Sequence, residues 1–174
     1  SLRYEQILEI NHEDRGALLN LNICYHNTNK DIDYILKLKL KIEKIMPENH
    51  ENLNDISDIF YDKKQFKKSL DYLNTAIKLD PKNAKYYNNR GIVKDDLKDY
   101  NKAINDHNRA VQLDSENSSF YNSRAVTKEN LKDYIGAIKD YNKAIELNPK
   151  KANYYNNRGT VKDNLKNYKE AIED

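Results

Sequence analysis

A spacing of 34 residues governs this chain. The series Tyr87, Asn88, Arg90, Lys94, Leu97, Tyr100, Ala103, Ile104, Asp106 and Ala110 returns as Tyr121, Asn122, Arg124, Lys128, Leu131, Tyr134, Ala137, Ile138, Asp140 and Ala144, and returns again from Tyr155 to Ile172. A fixed period of this length marks stacked supersecondary units, none of which buries its apolar face alone. Stacking also explains how a chain with 33 % charged residues and a mean hydropathy of −1.02 can fold. Each unit needs only a narrow apolar stripe against its neighbours.

Within each unit the apolar positions recur at helical spacing and divide it in two. Helices are expected over 31–46, 51–62, 65–79, 84–97, 100–113, 118–131, 134–147 and 152–165. Leu2–Ile10 and Gly16–Asn29 read as helices before these, and 168–174 as an incomplete one after them. The stretch ILKLKLKIEKI alternates apolar residues with Lys and by itself fits a strand equally well. Leu36/Leu40 and Leu38/Ile42/Ile45 also satisfy helical spacing, and the flanking helices decide for helix. Pro47, Pro81 and Pro149 lie on the same lattice, each just past a helix end, with Ser115 at the remaining point. Asp99 and Asp133 are placed to act as N-caps. Two columns of small residues, Gly91/Ala125/Gly159 with Ser57 and Ala103/Ala137/Ala171 with Ser69, let paired helices approach closely. Tyr100, Tyr134, Tyr168 and Phe66 supply an aromatic column between units.

With Tyr87, Gly91, Tyr100, Ala103, Ala110 and the trailing prolines, this helix–turn–helix resembles the tetratricopeptide repeat. The resemblance is closest over 84–174, looser over 50–83 and loosest over 16–49, where Ile23 and Ile35 replace the small pair. It implies an all-α, right-handed superhelical solenoid of antiparallel helix pairs. The units would be 1–15 (the second helix of a partial repeat), full repeats 16–49, 50–83, 84–117 and 118–151, and an incomplete repeat 152–174. It further implies a concave groove lined by the first helices and a scaffold that binds protein or peptide without catalysis. Starting and stopping inside second helices, the chain is expected to expose apolar edges that favour end-to-end self-association.

Two departures from the family pattern stand out. Where it usually has a large apolar residue this chain has Arg90, Arg124 and Arg158, and the second helices carry Asp106, Asp140 and Asp174. In the earlier units the first column reads Asn22 and Ile56, the second Leu38 and Tyr72. Arg and Asp appear together and vanish together, so ion pairs bridging the two helices are expected. Lys94, Lys128 and Lys162 give way to His26 and Phe60 by the same rule and join that seam.

The second departure concerns the groove. By helical periodicity Tyr87, Arg90, Gly91 and Leu97 face the packing side of their helix, and Lys85, Asn88, Asn89, Ile92, Asp95 and Asp96 face away from it. Carried across the lattice, that second face holds Glu51, Asn54, Asp55, Asp58, Tyr61 and Asp62, then Asn122, Ser123, Val126, Glu129 and Asn130. It continues as Asn156, Asn157, Thr160, Asp163 and Asn164, which makes eight acids against one Lys over four units. Related modules that grip acidic chaperone tails do so with Lys and Arg in the groove; this set is absent. A basic or neutral extended segment fits better. Asn20, Asn54, Asn88, Asn122 and Asn156 form a column of amides that can both donate to and accept from a peptide backbone. The competing reading makes acids such as Asp95 and Asp96 solvated charges and the Asn excess a matter of AT-rich codons.

Chemistry of other kinds finds little support. Lys+Arg 30 against Asp+Glu 28 gives +2, too balanced to indicate nucleic acid. Were nucleic acid bound, the Lys-rich outer helices would serve: Lys37, Lys39, Lys41 and Lys44, or Lys63, Lys64, Lys67 and Lys68. There is no phosphate-binding Gly loop, nucleophile elbow or HExxH, and His12, His26, His50 and His107 share no metal-ligand spacing. No cofactor, metal, small-molecule substrate or catalytic residue is expected, although a regulatory arm of a larger enzyme remains an alternative. No run approaches the ~18 apolar residues of a membrane span. Cys24 alone excludes an internal disulfide and fits a reducing compartment such as the cytoplasm, as a small filler.

Overall fold

The computed structural model describes residues 32–165. The expectations for Leu2–Ile10, Gly16–Asn29, Asn20, Cys24, Tyr168, Ala171, Asp174 and the two chain ends lie outside the described residues. Within them run eight helices: α1 (Ile32–Ile45), α2 (His50–Asp62), α3 (Phe66–Leu79), α4 (Ala84–Asp96), α5 (Tyr100–Leu113), α6 (Ser118–Asn130), α7 (Tyr134–Leu147) and α8 (Ala152–Asn164). No strand occurs among the described residues, so the chain is an all-α helical repeat. The ambiguous ILKLKLKIEKI lies in α1, with Leu38 and Ile42 buried one helical turn apart. The chain divides into two compact units, one ending at Pro81 and the other beginning at Lys82.

Helix starts follow side-chain chemistry. Asn49, Asn83 and Asn117, on one lattice, cap α2, α4 and α6 by accepting from the amides of Asn52 (3.0 Å), Lys85 (3.2 Å) and Ser119 (3.2 Å). Lys151 stands at the next lattice point, and α8 begins without a side-chain cap. Asp133 accepts from the Gly136 amide at 3.0 Å and caps α7. Asp99 does not cap α5; its carboxylate turns to Lys102 Nζ at 2.8 Å. The difference lies three residues on, since a Cβ at Gly136 would fall 2.1 Å from Asp133 Oδ2. Lys102 carries a side chain at the equivalent place, together with an ammonium that draws the carboxylate away.

Helix ends use an unexpected residue. Lys64, Lys98 and Lys132 adopt left-handed backbone, with φ of 56°, 61° and 62°. After α4, Lys98 N–H donates to Asp95 O (2.8 Å) and Asp99 N–H to Lys94 O (2.9 Å), and the same two bonds recur around Lys64 and Lys132. This is the closure usually made with glycine.

The core of the first unit comprises Leu38, Ile42, Leu53, Ile56, Ile59, Phe60, Leu73 and Ala76, with the two facing serines, Ser57 and Ser69, joined at 2.8 Å. In the second unit Tyr86, Val93, Ala103, Ala110, Phe120, Ala125, Ala137, Tyr141, Ala144, Tyr154 and Val161 are buried. Two expectations need correction here. Of the adjacent tyrosines it is Tyr86 that is buried, because the stripe of α4 runs through Tyr86 and Val93, two helical turns apart. Tyr87 is half-buried, with the Arg90 guanidinium 5.6 Å from its ring centre. Leu97 is 47 % exposed, because α4 has already ended and Lys98 reverses the chain.

Candidate functional site

Charge is spent first on holding helix pairs together. Arg90 donates to Asp106 through Nε (2.9 Å) and Nη2 (2.6 Å), and Lys94 Nζ reaches the same carboxylate at 2.6 Å. One lattice step on, Arg124 makes the same fork to Asp140 (2.7 and 2.7 Å), with Lys128 at 2.7 Å. Arg158 donates to Asn142 Oδ1 at 2.6 Å, while Asp174 is outside the described residues. In the first unit the positions of Lys94 and Asp106 belong to Phe60 and Tyr72, whose rings stack at 5.5 Å. One pair of lattice points thus carries an ion pair in one unit and an aromatic stack in the other. Tyr72 directs its hydroxyl to Glu43 (3.2 Å), and burial, aided by that carboxylate, pushes its pKa up to about 12.

The groove residues singled out in the sequence separate into two groups. Several face inward to partners of the chain's own. Asn54 is buried and donates to Asp58 Oδ2 at 3.1 Å. Asp55 accepts from the buried Lys39 at 2.7 Å. Asn88 is buried with its Oδ1 3.2 Å from His107 Nδ1. Asp95 is no solvated charge: its Oδ2 accepts from the Thr127 hydroxyl at 2.5 Å and lies 3.3 Å from His107 Nε2. Glu129 is half-buried beside the Tyr141 hydroxyl (3.4 Å), and burial raises the pKa of its carboxyl. Burial and the Glu129 charge push the Tyr141 hydroxyl up in turn. Asp62, Asp96 and Asn156 remain exposed, and Asn89, Asn122 and Asn157 are half-buried, the last two joined at 3.2 Å.

His107 is the residue that sequence reasoning missed. It is fully buried against Gly91, where an added Cβ would lie 2.6 Å from the imidazole. On the lattice it belongs with Lys39, Leu73 and Tyr141, all buried. The partner column reads Tyr61, Asp95, Glu129. His107–Asp95 and Tyr141–Glu129 are therefore one device in two chemistries, and the Leu73 unit needs none. Comparing those two columns would have revealed it; the search for metal spacing could not.

Between α4 and α6 lies an open groove of about 380 Å³, lined by Ile92, Asp95, Asp96, Asn122, Ser123, Val126 and Asn130 together with Lys98 and Tyr100. Ile92, Val126 and Tyr100 contribute apolar surface, and carboxylates, amides and a hydroxyl contribute the polar part. Seven of these nine residues belong to the face that helical periodicity had placed away from the packing side. Among the described residues no group of His, Cys, Asp and Glu could hold a metal ion, and no helix is long and apolar enough to cross a membrane.

A family model described as TPR repeat matches residues 58–94 and 130–162, and one described as tetratricopeptide repeat matches 84–117 and 152–174. No curated protein matches the sequence. Solved structures do resemble it. "MamA 41-end from Desulfovibrio magneticus RS-1" superposes with a TM-score of 0.78 at 16% identity, covering 90% of this chain and 88% of that one. YrrB, described as "a TPR protein with an unusual peptide-binding site", gives 0.74 at 18% identity over 98% of this chain and 87% of its own. The first TPR of Spaghetti (RPAP3), bound to the HSP90 peptide SRMEEVD, gives 0.65 at 23% identity over 68% of this chain and 94% of its own. At these identities the likeness is one of fold.

Proposed function

Given that this chain is a tetratricopeptide repeat protein, an all-α fold of protein-interaction scaffolds, we propose that it holds an extended, basic or neutral polypeptide segment on the acidic, amide-bearing face of its first helices. The family is in general non-catalytic. The observation that carries this reading is the open groove between α4 and α6, where Asp95, Asp96, Asn122 and Asn130 surround the apolar side chains of Ile92 and Val126. Apolar surface with a few convergent polar groups is what a polypeptide ligand requires. The half-buried Asn122 and exposed Asn156 serve the ligand in this proposal, whereas Asn54 and Asn88 are buried and engaged with Asp58 and His107 within their own units. The acidic lining disfavours a peptide such as SRMEEVD, whose own carboxylates would meet carboxylates.

Selection of random displayed peptides on the whole chain tests this reading. The recovered pool should be depleted in Asp and Glu, and its binding should weaken as salt is added. Recovery of acid-rich sequences, or of no binders, would remove it.

A further inference from the structure

We infer that the groove between α4 and α6 is a pocket for one lysine or arginine side chain of the bound polypeptide, with Asp95 as the group that receives its cationic end. This rests on the polypeptide-binding reading and adds to it the chemistry at one position. Asp95 differs from the two most deeply buried acids of its unit, Asp106 and Asp140. Asp106 and Asp140 are each bracketed by an Arg and a Lys within 2.7 Å. Asp95, with its side chain only 13 % exposed, meets the Thr127 hydroxyl and the His107 ring, and no Lys or Arg among the described residues pairs with it.

Its second oxygen, Oδ1, is buried and has no hydrogen-bond partner among the described residues. A shielded carboxylate in that condition gains strongly from a further donor, since leaving a charged acceptor unsatisfied is costly. The terminal torsion of an aspartate is broad, so a turn that exchanges the Thr127 and His107 contacts of Oδ2 for a charged donor presents Oδ1 to the groove that the residue lines. The rest of the lining suits the stem of such a side chain. Ile92, Val126 and Tyr100 offer apolar and aromatic surface to methylenes, and a Tyr ring also attracts a cation. Two carboxylates against the one ammonium of Lys98 leave the lining negative. About 380 Å³ lies near the lower end of ligand-pocket volumes, which fits a side chain better than a folded surface.

The test is titration of the isotope-labelled full chain, followed by amide shifts, with end-capped undecapeptides of Ala and Ser carrying one central Lys or norleucine. The Lys peptide should move the amides of Ile92, Asp96, Ser123 and Val126 and bind about tenfold more tightly than the norleucine peptide, which lacks only the ammonium. Asp95→Asn should bring the two peptides to equal affinity. Asp96→Asn, at an exposed position, keeps the experiment readable if the first variant unfolds, and should narrow the gap. Equal affinity for Lys and norleucine peptides in the unmodified chain would overturn the pocket while leaving polypeptide binding intact. Failure of every peptide at millimolar concentration to move the groove amides would overturn both.

Discussion

Asp140 is 3 % exposed yet carries a full charge, and it is tolerable because Arg124 and Lys128 both reach it. Removing one member of such a shielded cluster strands the others. Asp140→Ala should therefore cost about 3 kcal/mol in denaturant unfolding, discounted from a fully buried pair because both cations keep some exposure. A loss within ~0.5 kcal/mol would mean that water screens the seam. Glu129 makes the opposite case. Its raised pKa means that folding favours the protonated form, so the contribution is intact below the ordinary carboxylate range and is lost as pH rises through the raised value. Glu129→Gln should melt higher than the parent at neutral pH, and the two melting curves should converge on acidification. The covariation of Arg with Asp made the seam legible in the sequence, because a charge repeated in step needs its counter-charge. Burial of Asn88 and the fixing of Asp95 were not legible. Both involve His107, whose column (Lys39, Leu73, His107, Tyr141) shares no residue type, so the pairing shows only when that column is set against Tyr61, Asp95 and Glu129, and Asp95 is fixed further by Thr127 of α6.

Among the described residues, helix existence and order were readable from period and proline, with α1 decided by its neighbours, and the boundaries fall within a residue or two of expectation because the caps are local. What the pattern hid were devices with no apolar signature: the amide caps at Asn49, Asn83 and Asn117, and the left-handed lysines. An L-residue in that conformation is strained by roughly 1–2 kcal/mol, of which glycine's extra unfolded-state freedom gives back part. Lys98→Gly should accordingly stabilise the chain by about 0.5–1 kcal/mol in a thermal melt, and a fall in melting temperature would show that the lysine stem contributes packing. The misassigned tyrosine has a similar origin. With Tyr86 and Tyr87 adjacent, periodicity fixes the stripe only to within one residue's rotation, and the facing helix makes the choice.

Among the described residues part of the balanced charge is spent within the fold, although Lys37, Lys41, Lys44, Lys64, Lys67 and Lys68 stay exposed. Lys39 is buried on Asp55, and Lys63 is paired with Asp33, so the lysine-rich helices α1 and α3 and the turn between α2 and α3 present fewer open cations than their sequences suggest. Single-stranded RNA is expected to give no retarded complex with the full chain even at low salt, and a complex that dissolves steeply with added salt would reinstate nucleic acid as a partner. The seam has a further consequence, for ancestry. Arg, Lys and Asp serve one another, so none is easily acquired alone, and three consecutive repeats sharing the set are most simply copies of a single forebear that already possessed it.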